Sequence, residues 1–408
     1  MKGPEARGSP VTEPVVDKGE EEKPQFEIGK TYMCGRHTGS TKVFHPATLV
    51  KQKSTRTGIE FYVHYLELDR RLDEWVSMDR LGDEIFIAVR SDRRRRDRLS
   101  VTSHAGDDED PSNLKRHRSE HAHFHEKTKV RNINRVQLGK HEIDCWYYSP
   151  YPKAYGNCDK LYICETTLKY FGTKRAFVEY QKLMQDGKQS PPGKQIYYEK
   201  DRSIRVFEID GSEEKLFGQN LCLFGKLFIE HKTLSFDASP FFFYVLYEED
   251  SQGLHPVGYF SKEKESKENY NLACIVTLPP YQRKGYGKFI ISLSYEITKF
   301  HKEIGSPEKP LSDLGKLSYR SYWSFVLLRL LVSMTEEELS QVSLEAMSIQ
   351  TGIKPEDILS TMESLKMIHH LKSQFVIRIS REHLLDLLLP LQQRNFDRAF
   401  CKRELLTL

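Results

Sequence analysis

One stretch constrains the fold of this chain more than any other: Ala273-Cys274-Ile275-Val276-Thr277-Leu278-Pro279-Pro280-Tyr281-Gln282-Arg283-Lys284-Gly285-Tyr286-Gly287-Lys288. Its apolar, β-prone start predicts a buried strand. Pro279 and Pro280 lack the backbone N–H that a ladder needs, so they end it. Gly285 and Gly287 let bare backbone approach a ligand. Phe289, Ile290, Leu293 and Ile297 then recur at the spacing of an amphipathic helix. Strand, glycine loop and helix start together present free N–H groups at the positive end of a helix dipole. Such a corner suits a phosphate or pyrophosphate, and Arg283 and Lys288 add charge to it. The pattern is neither the P-loop nor the Rossmann fingerprint and is weak alone. What makes it specific is the later run Ser306-Pro307-Glu308-Lys309-Pro310-Leu311-Ser312-Asp313.

Together these two segments resemble the acetyl-CoA-binding core of the MYST family of histone acetyltransferases. The resemblance runs from about Phe26 to about Arg381. It implies an α+β fold: a GNAT-like acetyl-CoA N-acyltransferase core with a zinc-finger-like N-terminal module, a winged-helix-like C-terminal unit and a separate chromo-barrel. It also implies that the strand before the glycine loop splays from its neighbour to receive the pantetheine arm.

Composition narrows the classes. A chain of 408 residues suggests about two or three domains, and 38% hydrophobic residues with 22 Phe and 21 Tyr suffice for a sizeable core. A formal net charge of +4 with 29% charged residues leaves nucleic-acid attraction to local patches. No apolar run of about 20 residues argues for a membrane span, and the N-terminus lacks a signal-peptide core. Seven scattered cysteines do not form a disulfide framework, so an intracellular protein with reduced thiols is expected.

Residues 1–24, rich in Pro, Glu, Gly and Lys, are expected to be disordered. Residues 25–86 predict a small all-β unit, because Glu60-Phe61-Tyr62-Val63-His64-Tyr65 alternates at the two-residue strand period. With Arg70-Arg71-Leu72-Asp73-Glu74-Trp75-Val76 it resembles the chromo-barrel of MOF-type MYST proteins. Tyr32, Tyr62, Tyr65 and Trp75 are candidates for an aromatic cage around a methylated lysine. Alternation nevertheless sets Tyr62 opposite Phe61 and Tyr65. Weak RNA or DNA contact by the barrel is the competing role. Residues 87–130 read as a linker with a basic block (Arg93-Arg94-Arg95-Arg96-Asp97-Arg98), an acidic block and the histidines 121, 123 and 125. The basic block suits phosphate contact or nuclear import.

Residues 131–395 are expected to form the catalytic domain, divided into a module at 131–200, the acetyl-CoA core at 201–330 and a winged-helix-like unit at 331–390. Glu142-Ile143-Asp144-Cys145-Trp146-Tyr147-Tyr148 matches the family's entry motif. There the family carries a Cys-x-x-Cys pair, then a His and a final Cys. This chain has Cys164-Glu165-Thr166-Thr167, and the last two positions fall near Lys182 and Asp186. One thiolate cannot make a closed tetrahedral site, so zinc is predicted absent and no metal site is assigned. Packing by residues such as Leu161, Tyr162, Phe171 and Phe177 must hold the module instead. Thr335 to Met347, Lys354 to Leu365 and Phe375 to Ile379 read as helix, helix and strand. Residues 396–408 read as a tail.

By the resemblance, Glu308 is the general base and Cys274 the active-site cysteine. Backbone N–H groups at Ile275 and Thr277 polarise the thioester carbonyl. Gln282, Arg283, Gly285, Gly287, Lys288 and Ser312 hold the cofactor, and Lys232 is acetylated by the enzyme itself. Residue by residue, Glu308 pairing with Lys309 and Lys232 pairing with Asp237 are the simpler alternatives. The implied activity is acetylation of a histone tail, that of histone four, by a nuclear subunit of a chromatin complex. The lost zinc ligands favour a different reading, a weakly active or inactive paralogue acting as a chromatin-binding adaptor. Acetylation of small-molecule amines fits the loop but not the barrel.

Overall fold

In the computed structural model of the protein, residues 26–38, 41–85, 130–156, 158–184, 190–230, 232, 237–371, 374–377 and 380–408 are described. The expected disordered tail, the linker except its last residue, and Asp186 lie outside them. The chain divides into two compact units, Met1–Thr128 and Lys129–Leu408.

The first unit is an antiparallel sheet of β1 (Thr31–Thr38), β2 (Thr41–Thr55), β3 (Gly58–Tyr65), β4 (Glu74–Ser77) and β5 (Leu81–Glu84), ordered β4-β3-β2-β1-β5. Alternation sorts β3. Phe61, Val63 and Tyr65 enter the core with Tyr32, Leu49 and Val76, and Tyr62 on the other face meets Trp75 edge-on at 5.4 Å. The Tyr65 hydroxyl donates to Glu74 at 3.0 Å, and Arg80 pairs with the same carboxylate at 2.6 Å. The four-ring cage is therefore corrected: Tyr32 and Tyr65 belong to the core, which leaves Tyr62 with Trp75. The ammonium over the Trp75 ring, at 4.3 Å, is the chain's own Lys53.

The second unit begins with β6 (Arg135–Leu138), β7 (His141–Asp144), β8 (Lys160–Ile163) and β9 (Tyr170–Phe171), ordered β7-β6-β8-β9, and the helix Lys174–Met184. Next come β10 (Lys194–Glu199), β11 (Ile204–Asp210), the helix Lys215–Lys226, β12 (Phe241–Asp250), β13 (Gly253–Glu263), β14 (Tyr270–Leu272) and β15 (Cys274–Thr277). They build an antiparallel sheet ordered β10-β11-β12-β13-β15, with β14 outside it. Phe243 to Tyr247 of β12 are all buried, as expected of a central strand covered on both faces. The helix Tyr286–Phe300 buries Phe289, Ile290, Leu293 and Ile297, the predicted stripe. β16 (Ser306–Pro307) then pairs parallel with β14.

A second core gathers on the helix Asp313–Ser333, with Tyr319, Phe325, Leu328, Met347, Ile358 and Leu384 buried. The single helix expected from Thr335 to Met347 is two helices, Glu336–Gln341 and Leu344–Thr351. Thr335 and Glu338 form a capping box for the first. Ser343 caps the second by accepting from the Ala346 N–H at 3.1 Å, which requires extended backbone between them. The helix Pro355–Ser364, the hairpin of β17 (Ile368–Leu371) and β18 (Gln374–Ile377), and the helix Arg381–Gln393 complete this part. Residues 396–408 are not a loose tail. Phe400 and Cys401 pack inward, and Leu406 bridges to Tyr197 of edge strand β10.

Candidate active site

β13 and β15 pair from Gly258↔Thr277 to Ser261↔Cys274. β15 thus stays on its ladder with β13 and is the edge strand of that sheet, while β16 pairs with β14 just before it and not with β15 itself. On the side away from β13, β15 has no strand partner among the described residues, and that free edge is where backbone groups stand open. After Thr277 the two prolines form a 3-10 turn, Pro279–Tyr281. Gln282 donates its side-chain amide to Thr277 O at 3.0 Å, which ties the loop back to the strand.

Arg283 (φ 63°) and Gly285 (φ 92°) both take left-handed backbone, and Gly285 is the N-cap of the helix Tyr286–Phe300. Among the described residues no side chain caps that terminus. A Cβ on Gly285 would lie 2.9 Å from the Ala399 methyl group, so the C-terminal segment closes one side of the corner. Arg283 is exposed and Gly287 half-buried. Lys288 is turned to the Phe396 ring, 3.7 Å away, and burial lowers its pKa. Ser312 caps the helix Asp313–Ser333 by accepting from Gly315 N–H at 3.1 Å. The candidate cofactor residues are therefore drawn from β15, the loop and two helix starts.

The candidate chemical residues converge on the other end of β15. The Cys274 N–H donates to Ser261 Oγ at 3.2 Å, and its sulfur accepts from Lys232 Nζ at 3.5 Å. Lys232 is only 5% exposed. Burial disfavours its ammonium, but the nearby sulfurs of Cys274 and Cys222 and the charge of Glu308 raise its pKa overall. Asp237, the simpler partner, instead accepts from Ser239 N–H at 3.0 Å. Burial also pushes the Cys222 thiol up. The Tyr259 hydroxyl has no hydrogen-bond partner among the described residues. It sits where a Cβ on Gly225 would come within 1.9 Å, so this glycine is what lets the helix Lys215–Lys226 approach.

Glu308 follows β16, and its N–H bonds Leu272 O at 2.8 Å, two residues before Cys274. Partial burial raises its pKa, Glu263 raises it further and Lys232 lowers it. Lys309 pairs with buried Asp357 at 2.8 Å, which Ser306 Oγ also reaches at 2.6 Å. Glu308 is thereby left without the neighbour that would have made it an ordinary surface ion pair. Cys222, Ser261 and Glu263 were missed by the sequence reading. Strand alternation around Cys274 held a signal for the last two, but using it required the register with β13.

At the zinc-finger-like module the donor set does not fit zinc. Thr167 stands at one expected ligand position and Lys182 near another, and no group of three or more His, Cys, Asp or Glu among the described residues could hold a metal. The turn after β8 is joined to the helix Lys174–Met184 by other means. Thr167 Oγ1 and Tyr180 Oη are 3.2 Å apart. Tyr162 stacks on Phe177 at 5.8 Å, and Phe171 meets Phe177 at 5.9 Å and Tyr180 at 4.9 Å. His255 docks the module to the sheet, with Nδ1 2.8 Å from Glu165 and Nε2 2.9 Å from Asp250.

Comparison with known proteins places these parts. Residues 190–405 match the MOZ/SAS family, 130–183 the MYST family zinc finger domain, and 26–83 the RNA binding activity-knot of a chromodomain. Histone acetyltransferase of the MYST family 1 from Arabidopsis thaliana is 42% identical over 367 residues, covering 86% of this chain and 79% of that protein. Histone acetyltransferase ESA1 of Saccharomyces cerevisiae is 39% identical over 368 residues, 80% of this chain and 81% of its own. Histone acetyltransferase MOF of Drosophila melanogaster is 36% identical over 446 residues, 92% of this chain and 52% of its own.

Proposed function

The chain belongs to the MYST family of histone acetyltransferases, and from that footing we propose that it transfers acetyl from acetyl-CoA to a lysine of the histone four tail, with Glu308 as general base. The observation that carries this reading is the approach of Glu308 to Cys274 through the Leu272 hydrogen bond, at the opposite end of β15 from the open glycine corner. The substrate lysine arrives as an ammonium of pKa about 10.4, and only its neutral form attacks. The Glu308 carboxylate takes one proton from the lysine Nζ. The freed lone pair attacks the thioester carbon, the C–N bond forms and the C–S bond breaks, and the electron pair leaves on the coenzyme A sulfur. The second amine proton neutralises that thiolate, and Glu308 returns its proton to solvent. Its raised pKa makes it a better base near neutral pH than an ordinary glutamate.

Attack is direct in this reading, and Cys274 lines the acetyl pocket without carrying the acetyl group. N–H groups at Ile275 and Thr277 polarise the carbonyl. Gln282, Arg283, Gly285, Gly287, Lys288 and Ser312 surround the pyrophosphate arm. Lys232, beside Cys274, receives an acetyl group from the enzyme itself. Zinc is absent, the C-terminal helices act as a winged-helix-like scaffold for the substrate, and the barrel makes weak RNA or DNA contact. The protein works in the nucleus within a chromatin complex.

The test is incubation of the full chain and Glu308→Gln with labelled acetyl-CoA and nucleosomes, followed by mapping of every acetylated lysine. Label on the histone four tail and on Lys232 for the parent, with none for the variant, is expected. Label elsewhere revises the substrate. Full turnover by the variant removes Glu308 from its role.

A further inference from the structure

Glu263 stands at the reacting end of β13, and the register says which way it faces. Ser261, two residues before it, pairs with Cys274 and accepts its N–H. Directly paired residues of an antiparallel ladder share a face, and so do residues two apart on one strand. Glu263 is therefore on the face of Ser261 and Cys274, just past the end of β15. Tyr259 marks the same face, with its hydroxyl against Gly225. Lys232 approaches Cys274 there. Glu308 comes to this place from β16, through its bond to Leu272.

The lysines nearest in sequence leave these two carboxylates alone. Lys262 pairs with Glu303 at 3.2 Å, Lys264 pairs with Asp210, and Lys309 pairs with Asp357. Among the described residues neither Glu263 nor Glu308 has a side-chain hydrogen bond or ion pair. Two neighbouring carboxylates with no cation paired to both repel each other, and Lys232 eases the charge of Glu308 without offsetting that repulsion. An incoming ammonium relieves that repulsion, which a neutral or acidic side chain would not.

We propose that Glu263 is a positioning residue for acetyl transfer: with Glu308 it receives the substrate lysine as an ammonium and holds it at Glu308 for deprotonation. The proposal rests on the reading of Glu308 as base. Glu308 takes the proton; Glu263 neither gives nor takes one in the reaction and forms no covalent bond. The charged groups that face Glu308 are Glu263 from β13 and Lys232 from the segment after the helix Lys215–Lys226. Removing the negative one must make Glu308 easier to ionise.

The experiment is steady-state kinetics of the full chain, Glu263→Gln, Glu263→Asp and Glu308→Gln, with a lysine peptide and acetyl-CoA across pH. For Glu263→Gln the peptide KM rises roughly fivefold, the worth of one exposed ion pair, while the acetyl-CoA KM holds. The acid limb of kcat/KM moves to lower pH in the same variant, and Glu263→Asp recovers part of both effects. Movement of only one of the two quantities, or of neither, overturns the proposal. Retained turnover in Glu308→Gln would instead defeat the base assignment. Loss of turnover there with an unmoved Glu263→Gln defeats only the role of Glu263.

Discussion

The sheet β7-β6-β8-β9 and the sheet β10-β11-β12-β13-β15 lie in one unit but depend on their residues differently. In the first, a zinc ion would join the turn after β8 to the helix Lys174–Met184. Here Thr167–Tyr180 and the rings of Tyr162, Phe171 and Phe177 make that junction. Apolar contact is non-directional, so one set of side chains can take over from another. In the second, the corner after β15 depends on main-chain conformation, left-handed at Arg283 and Gly285, and on the position of one carboxylate. Packing elsewhere cannot replace either. A scaffold tolerates changed chemistry where its task is cohesion and resists it where its task is geometry.

The strongest way to break this contrast is through Glu308. Glu308→Gln is expected to lower kcat by about 10²- to 10⁴-fold with acetyl-CoA affinity nearly unchanged, as a lost general base should. A comparable loss in Phe171→Ala, measured on protein still folded, would erase the distinction. Phe171→Ala should act on stability instead, by about 2–3 kcal/mol in denaturant unfolding, because the ring is only partly buried.

His255 sharpens the comparison, since it joins the two sheets. Burial opposes its charge, but Glu165 and Asp250 raise its pKa above the ordinary value. A raised folded pKa gives stability that is complete below the unfolded pKa, about 6.5, and is lost as pH rises through the folded value. Asp250 is held down at about 2, so its share is complete above the unfolded value and lost only as pH falls towards that figure. Thermal melts should therefore show stability falling from pH 6 to pH 9 in the parent and a flatter profile in His255→Gln. The cost of His255→Gln at pH 6 should be about 1–2 kcal/mol, since only one charged pair on each side is removed. An equal slope in both proteins would take His255 out of the junction.

The smallest effect expected is none at all. Chelation should leave the melting temperature of the parent unchanged, and elemental analysis should find no stoichiometric zinc. A large drop on chelation would mean that a metal, and not the aromatic cluster, holds the first sheet.

Much of this was legible in the chain. Local signals fixed the strand before the prolines, the glycine corner and the buried stripe from Phe289 to Ile297, because each depends on neighbours in sequence. Alternation likewise divided Tyr62 from Tyr65. Other features depended on distant partners. The break at Val342–Ser343 reflects two competing caps in one helical pattern, and the C-terminal segment gained its place only by closing against Gly285 and β10. The pairing of Lys309 with Asp357, which frees Glu308, joins residues far apart in the chain.

By itself the sequence determined the family, the residue types available for proton transfer and the single cysteine, Cys164, of the expected zinc-binding pair, since composition and spacing are properties of the chain alone. Tertiary structure decided which of those side chains meet. Strand register put Ser261 and Glu263 on the face of Cys274, burial raised the pKa of Glu308, and neighbouring groups raised that of Lys232 against its burial, because electrostatic strength depends on distance and on exclusion of water.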